Sequence, residues 1–364
     1  MTREEYDSVD AINYSTLSKM HDDPKKLLLP PSKPGRGRLM GSTIDCLIFS
    51  GQEFNDRFFI SEAKLPAEKM LAMLERYLEL TGNDFLPINE NMVMAARTDV
   101  EFAMNWGRST VITKFEEACF DYLSELIVAG NRLVIDKRIK ETCDQIATEV
   151  LTNKFTYDVI TRGDIVLNQP TFIWNQKIDD SEGKEITVKC KGIADNITVR
   201  DLDKETVLVY INDGKYSSQG WKTFEKDFVN WNYHLQPPMY ILAVNSLVNG
   251  TNEYCEEPLK DILRGKKVMI FFRFIIYTEG NLPLIYTLPS DLITLGFYGG
   301  TLYNGARKKG INRLIVDYLR HKALEYYDYP WDIYDNAGTL DLSIPCSVNR
   351  PLQIKPQTTQ SEDK

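Results

Sequence analysis

From Val207 to Ile211 the chain sets apolar, aromatic and β-branched residues in a row and ends them on Asn212-Asp213-Gly214-Lys215. Such a run predicts a strand buried on both sides, emerging at an acid and a base. Side chains at i and i+2 share a face of a strand, so Asp213 and Lys215 project together and Gly214 offers only a hydrogen to the other face. An earlier strand-like run, Ile186 to Val199, carries Asp195. The polar stretch Arg200 to Glu205 between them reads as a turn, which predicts a hairpin with Asp195 beside Asp213.

Helical patterns come before these strands. Asn13 to Met20 predicts a short helix capped by Asn13 or Ser15 and stopped near Pro24. A Pro- and Gly-rich loop from Pro30 to Gly37 carries Arg36 and Arg38, and Leu39 to Phe49 predicts an apolar helix holding one acid, Asp45. Residues 63–80, 91–106 and 114–126 repeat apolar positions at three and four, as Met70, Met73, Leu74, Tyr77 and Leu78 do, and read as scaffold helices. A further helix is expected from Asp136, its cap, to Leu151. Short strands follow at 164–167 and 171–176. After Lys215 an aromatic-rich helix (Trp221, Phe224, Phe228, Trp231) gives way to a new start at Gln236-Pro237-Pro238, since proline suits the first turn of a helix. Lys266 to Tyr277 predicts a strand that Leu284 to Leu288 can join, and 291–327 return to helix. The expected class is α/β: a mixed central sheet flanked by helices, with residues 1–356 as one domain. Its first part, 1–155, is mainly helical, 156–356 carry the sheet, and 357–364 form a disordered tail.

The 364 residues, 43% hydrophobic and 26% charged, suffice for a full core. Apolar runs stop well short of the roughly 18 residues a bilayer span needs, and the first residues carry no apolar signal core, so a cytoplasmic protein without a membrane partner is expected. Six scattered cysteines (46, 119, 143, 190, 255 and 346) contain no C-x-x-C and read as reduced structural thiols, not as a zinc or iron–sulfur site. A net charge of −9 argues against indiscriminate nucleic-acid coating but leaves room for a local basic track, for which Arg36 and Arg38 are the foremost candidates.

A D-x-K pair in a strand is most often a solvated charge pair. Here the acid follows five apolar residues and sits where a buried strand surfaces, a place where sites on sheets form. Two carboxylates and an ammonium at one sheet edge suit divalent-metal hydrolysis. Asp45 is a second oddity, because a carboxylate in so apolar a helix must face solvent, find a partner or hold a metal.

The order Asn13-Tyr14-Ser15-Thr16-Leu17, Gly41-Ser42-Thr43-Ile44-Asp45, Gly192-Ile193-Ala194-Asp195, Asp213-Gly214-Lys215 and Gln236-x-x-x-Tyr240 resembles the PD-(D/E)XK nucleases of the RecB/RecE and lambda-exonuclease type, especially the RecE-like phage exonucleases. The resemblance covers about two thirds of the chain. It implies a restriction-endonuclease-like core, with Asp195 and Asp213 as metal-binding carboxylates and the Gly214 carbonyl as a further ligand. Lys215 would be the catalytic lysine that orients or activates water, biased towards proton loss by the ion beside it. Gln236 and Tyr240 would hold DNA and site together, with Ser15, Arg36 and Arg38 in support. Asp45 stands where the family usually has a histidine, which favours a hard ion such as Mg2+, with Mn2+ also accommodated. Asn168-Gln169 stands where relatives often carry a glutamate, and the prolines inside Gln236 to Tyr240 are a further departure.

The resemblance thus implies a Mg2+-dependent exonuclease acting on duplex DNA ends, 5′-to-3′, as a homo-oligomer. It would serve phage or prophage recombination beside a single-strand annealing protein, in the host cytoplasm. The rivals are a structure-specific endonuclease of the same superfamily and a non-catalytic DNA-binding or assembly protein on a decayed nuclease fold.

Overall fold

The computed structural model describes residues 1–30, 34–180 and 182–335. Among these residues the chain forms two compact units, one of Ser42–Gln145 and one of Met1–Gly41 with Ile146–Lys364. The division thus runs at 41/42 and 145/146, whereas the sequence suggested a change of character near 155. The polar tail 357–364 and Cys346 lie outside the described residues.

The Ser42–Gln145 unit packs the helices Glu68–Thr81, Glu90–Asp99 and Arg108–Ala129, with a parallel pair of strands, β1 (Phe58–Ser61) and β2 (Leu133–Asp136). Its core is the predicted apolar stripe, Met70, Met73, Leu74 and Tyr77, closed by Val93, Ala96, Phe115 and Cys119. The second helix stops at Asp99, short of the expected Trp106. Arg97 explains the stop: its guanidinium donates to the carbonyls of Phe102, Ala103 and Trp106 and folds the chain back through Glu101 and Ala103, both at positive φ. Asp136 caps the helix Lys137–Thr152 as expected, accepting from the Ile139 amide at 2.8 Å.

The other unit holds the sheets. One is mixed, as the sequence predicts, in the order β10-β9-β7-β6-β3, with β3 Ile165–Asn168, β6 Asn196–Asp201, β7 Thr206–Tyr216, β9 Lys267–Thr278 and β10 Asn281–Thr287. Only the β7–β9 pair in it is parallel. A second, antiparallel sheet joins β4 (Thr171–Asp179) to β5 (Glu185–Ile193) and to the short β8 (Asn252–Tyr254).

The run Ile186 to Val199 is therefore two strands in two sheets. Pro170 lacks the N–H a ladder needs, and Gln169 turns through positive φ, so β3 ends at Asn168 and β4 begins at Thr171. Opposite that break, β5 ends at Ile193 and β6 begins at Asn196. Ala194 and Asp195 fall in the gap, tied across it by Ala194 N–H to the Pro170 carbonyl (3.2 Å) and Gln169 N–H to the Asp195 carbonyl (2.9 Å).

β7 also differs from expectation. Val207, Val209 and Ile211 are buried, but Leu208 and Tyr210 are half-buried, so one face of its first half is not core. An aromatic and guanidinium layer covers that face: Tyr210 stacks on Phe271, and the Arg273 guanidinium lies 4.0 Å from the Tyr210 ring. Full burial begins at Ile211 and runs to Gly214. The helix Gln236–Asn249, buried along most of its length, packs on β4, β5 and β9 and closes the core around Trp174, Phe272 and Phe274.

The helix expected over 291–327 divides. Gly299 and Gly300, both at positive φ, end Ser290–Tyr298; a small hairpin pairs Gly300–Thr301 with Arg307–Lys308, and Ile311–Leu324 resumes the helix. Among the described residues no helix is long and apolar enough to cross a membrane.

This unit sets two imidazoles side by side, His234 buried and His21 half-buried. His21, near the end of the helix Tyr14–Asp22, accepts from the Lys309 amide at 3.4 Å, and His234 donates to the Lys309 carbonyl at 3.0 Å, with the rings 5.5 Å apart. Burial pushes His21 down to about 4, helped by Lys308 and Lys309 and opposed by Asp22. Burial pushes His234 down to about 3; its bond to the Lys309 carbonyl opposes this, while His21 and Lys308 add to it. Both folded values lie below the unfolded value of about 6.5, so their contribution to stability is complete above about pH 6.5 and is lost as pH falls towards 4 and then 3. The melting temperature is expected to fall between pH 7.5 and pH 5, where ordinary carboxylates scarcely titrate and proton uptake by the raised carboxyl of Asp213 offsets only part of the loss from two imidazoles; an unchanged melting temperature would contradict it.

Candidate active site

The β6–β7 register pairs Asn196 with Asn212, so the next residues outward, Asp195 and Asp213, come side by side as the hairpin predicts. Because Asp195 sits in the gap between two sheets, its side chain is released from the ladder and turns to β7, where Oδ2 accepts the Gly214 N–H at 2.8 Å. Asp213 and Lys215 share one face. Lys215 Nζ pairs with Asp213 Oδ2 and donates to the Gly214 carbonyl at 3.0 Å. Gln236, the first residue of its helix, donates from Nε2 to Asp213 Oδ1 at 3.2 Å. Tyr240, one turn on, donates its hydroxyl to the Ile193 carbonyl at 2.9 Å.

Gly192 makes the last of these contacts possible. A Cβ at 192 would stand 3.3 Å from Tyr240 Cε1, so the ring lies on bare backbone and its hydroxyl reaches the carbonyl two peptides before Asp195. The prolines at 237 and 238 occupy the first turn, where no intrahelical N–H bond is lost, so they leave the Gln236 and Tyr240 geometry intact.

Asp213 is only 2% exposed. Burial pushes its carboxyl up to about 7, with Asp195 adding to the rise and the Lys215 ammonium opposing it. Burial alone would lower Lys215, but Asp213 and Asp195 together outweigh it and hold the amine above its ordinary value. The two carboxylates thus favour the ammonium form of Lys215, opposite in direction to the proton loss expected beside a bound ion. Its charge is further enclosed by rings, 5.2 Å from the centroid of Tyr233 and 5.8 Å from that of Phe274.

The remaining predicted residues are placed as follows. Ser15 is exposed and donates to Asn13 Oδ1 at 2.8 Å, part of the cap in which Asn13, not Ser15, accepts from the Thr16 amide. Arg36 and Arg38 are exposed in the first turn of the helix Arg36–Phe49, so they stand on a helix and not on the predicted loop. Gly41, on that helix, backs onto β7, where a Cβ would lie 3.6 Å from the Cβ of Tyr216. Asp45 belongs to the Ser42–Gln145 unit and is half-buried.

Residues that the sequence reading passed over complete the site. Tyr14 donates its hydroxyl to the Trp231 carbonyl at 2.9 Å, and burial drives its phenol upward, with Lys215 opposing and Tyr233 and Asp213 adding. On the opposite face of the sheet runs an asparagine ladder, with Asn196 and Asn212 buried and Asn168 exposed. Asn212 donates to Asn196 Oδ1 at 2.7 Å, Asn196 donates to Asn168 Oδ1 at 2.8 Å, and both reach the carbonyls of Val159 and Ile160 in the helix Lys154–Thr161. Each aspartate is thus next in sequence to an asparagine whose pairing resists a slip of register. The signal was legible: three asparagines, each interrupting or ending an apolar strand.

The donor set is all oxygen, two carboxylates with the Gly214 carbonyl beside them, which suits a hard divalent ion. Two of those atoms, Asp213 Oδ2 and Gly214 O, are the ones the Lys215 ammonium engages, so the place is built for positive charge. Gln236 Oε1 is buried there without a hydrogen-bond partner. Among the described residues, no group of three or more His, Cys, Asp or Glu side chains is gathered to hold a metal. Cys46, Cys119, Cys143, Cys190 and Cys255 are buried free thiols.

No family model matches the chain, and no curated protein does. A Eubacterium rectale crystal structure described as a "Putative exonuclease" superposes with a TM-score of 0.38 and 11% identity, over 98% of this chain and 95% of that one. A likeness at that level carries no argument about activity. The α/β class rests on the sheets themselves.

Proposed function

We propose that the chain is a metal-dependent deoxyribonuclease that hydrolyses phosphodiester bonds from the ends of duplex DNA, 5′-to-3′, in the setting of phage or prophage recombination. One observation carries the reading: Asp195, Asp213, Gly214, Lys215, Gln236 and Tyr240, assigned together from the motif resemblance, come together from the β5–β6 gap, β7 and the helix Gln236–Asn249 through direct hydrogen bonds and one ion pair. Asp195, Asp213 and the Gly214 carbonyl would hold Mg2+ or Mn2+. Such an ion, when bound, neutralises charge on the phosphate and lowers the pKa of bound water.

The chain's own residues do the rest. Gln236 keeps Asp213 Oδ1 oriented, Tyr240 fixes the backbone that delivers Asp195, and Gly214 N–H holds Asp195 towards its partner. Lys215, kept as an ammonium, stands ready to pair with a phosphate oxygen as negative charge builds in the transition state. Ser15, Arg36 and Arg38 are proposed DNA contacts, and a homo-oligomer and an annealing protein are proposed partners.

The test is a time course on linear duplex labelled at the 5′ or the 3′ end, with Mg2+, Mn2+ or chelator, beside covalently closed circular duplex. Progressive loss from the 5′ end, arrest by chelator and an intact circle are expected. Nicking of the circle would replace the reading with an endonuclease, and metal binding without cleavage of either substrate would replace it with a non-catalytic DNA-binding protein.

A further inference from the structure

Two residues before the Tyr233 ring that faces the Lys215 ammonium, the chain exposes an indole to solvent. Trp231 is 62% exposed at the end of the helix Phe224–Asn230, although its backbone is tightly held. Its N–H donates to the Asp227 carbonyl at 2.9 Å, and its carbonyl accepts the Tyr14 hydroxyl. The next residue, Asn232, is 1% exposed and adopts φ +56°, a left-handed turn that asparagine tolerates better than most residues. Asn232 Nδ2 donates to Asp22 at 2.6 Å, and its Oδ1 accepts from the buried Lys308 Nζ at 2.6 Å. This turn sends residue 231 outward and residue 233 inward, where the Tyr233 ring faces Lys215.

The buried Lys308, which also donates to the Val229 carbonyl at 2.7 Å, and the strained Asn232 fix the backbone at residue 231, and core packing does not account for the side chain there, since the indole is in solvent. Nor is the rigid turn needed to place Tyr233 alone, because any loop could turn inward there. What the turn does is fix a large flat apolar surface two residues from a ring that lines the ammonium. Two more exposed aromatics flank the same helix by backbone-directed bonds: Trp221, 40% exposed, whose carbonyl accepts from Tyr286, and Tyr303, 66% exposed, which donates to the Glu225 carbonyl.

We infer that Trp231 is a base-stacking residue, taking the face of a nucleobase in an unpaired strand whose phosphate lies at the Lys215–carboxylate cluster. An indole stacks on any base, adds no charge to an acidic chain, and works only if it is rigid and wet before the ligand arrives. A paired base hides its face inside the duplex, so the occupant is a single strand or a frayed end. This rests on the nuclease reading of the cluster, and it adds that substrate strands are held there unpaired.

The test uses the full chain and a short oligothymidylate in excess chelator, so that binding is read without cleavage. Wild-type fluorescence should be quenched on binding. Trp231→Ala should weaken the affinity roughly tenfold, Trp231→Phe should keep most of it, and both should melt as the wild type does because the side chain is exposed. The same affinity in Trp231→Ala and wild type would overturn the inference, as would a loss of self-association in Trp231→Ala with binding unchanged. The two readings separate cleanly. Trp231-dependent binding without metal-dependent cleavage would remove the nuclease and keep the stacking role, and cleavage with Trp231-independent binding would do the reverse.

Discussion

Replacing Lys215 with methionine is expected to lower the stability of the fold by about 3–5 kcal/mol, the usual cost of removing one partner of a buried ion pair. The ammonium offsets two carboxylates at once, since Asp213 pairs with it directly and Asp195 lies close enough to hold its proton on. Without it, the Asp213 carboxyl, 2% exposed and already raised by burial and by Asp195, is pushed further up and must take on a proton, with only the Gln236 amide at one oxygen. The double variant Asp213→Asn/Lys215→Met should regain most of the loss, because it removes both charges and keeps the shape. Urea unfolding of the three proteins checks this. A single variant as stable as wild type, or a double variant no better than the single, would show that the pair is not what balances charge in the site.

A second large effect is expected in catalysis. Asp213→Ala and Lys215→Ala should each slow metal-dependent digestion of linear duplex at least ~10³-fold, the range seen when charge-stabilising groups at a reacting centre are removed. The two losses have different causes. Asp213 is the junction of the site, holding Lys215 with one oxygen and Gln236 with the other, so its removal scatters the donor set. Lys215→Ala keeps the carboxylates and removes the charge set to meet the phosphate. A raised metal requirement is therefore expected in Asp213→Ala and a lowered maximal rate in Lys215→Ala.

Much of this was readable before any coordinates. Hairpin pairing of two strand-like runs placed Asp195 beside Asp213 because a period of two leaves no freedom once one face is buried. Gln236 and Tyr240 came from the motif resemblance, with one helical turn between them. Three things were hidden. The break between β5 and β6 depends on Gln169-Pro170 lying opposite Ala194-Asp195, a coincidence of register and not of local propensity. The protonation of Lys215 depends on how two carboxylates and two aromatic rings enclose it, which no spacing reveals. The extent of the helix after Glu90 depends on one buried arginine reaching three carbonyls ahead of it. Asp45 marks a different boundary, since its helix was legible while its half-burial belongs to the packing of another unit.

The asparagine ladder shows how sequence can carry a signal that a motif search skips. Asn168, Asn196 and Asn212 are matched across three strands, on the face away from the acids. Their amides bind one another and a helix end, so the polar atoms that look out of place in apolar strands set the pairing that aligns the carboxylates.

The most direct measurement is digestion of 5′-labelled linear duplex with Mg2+ by wild type and by Asp213→Ala, each first shown to be folded. Metal-dependent digestion by the wild type that is lost in the variant is the predicted result. Equal digestion by both would contradict the assignment of chemistry to this cluster.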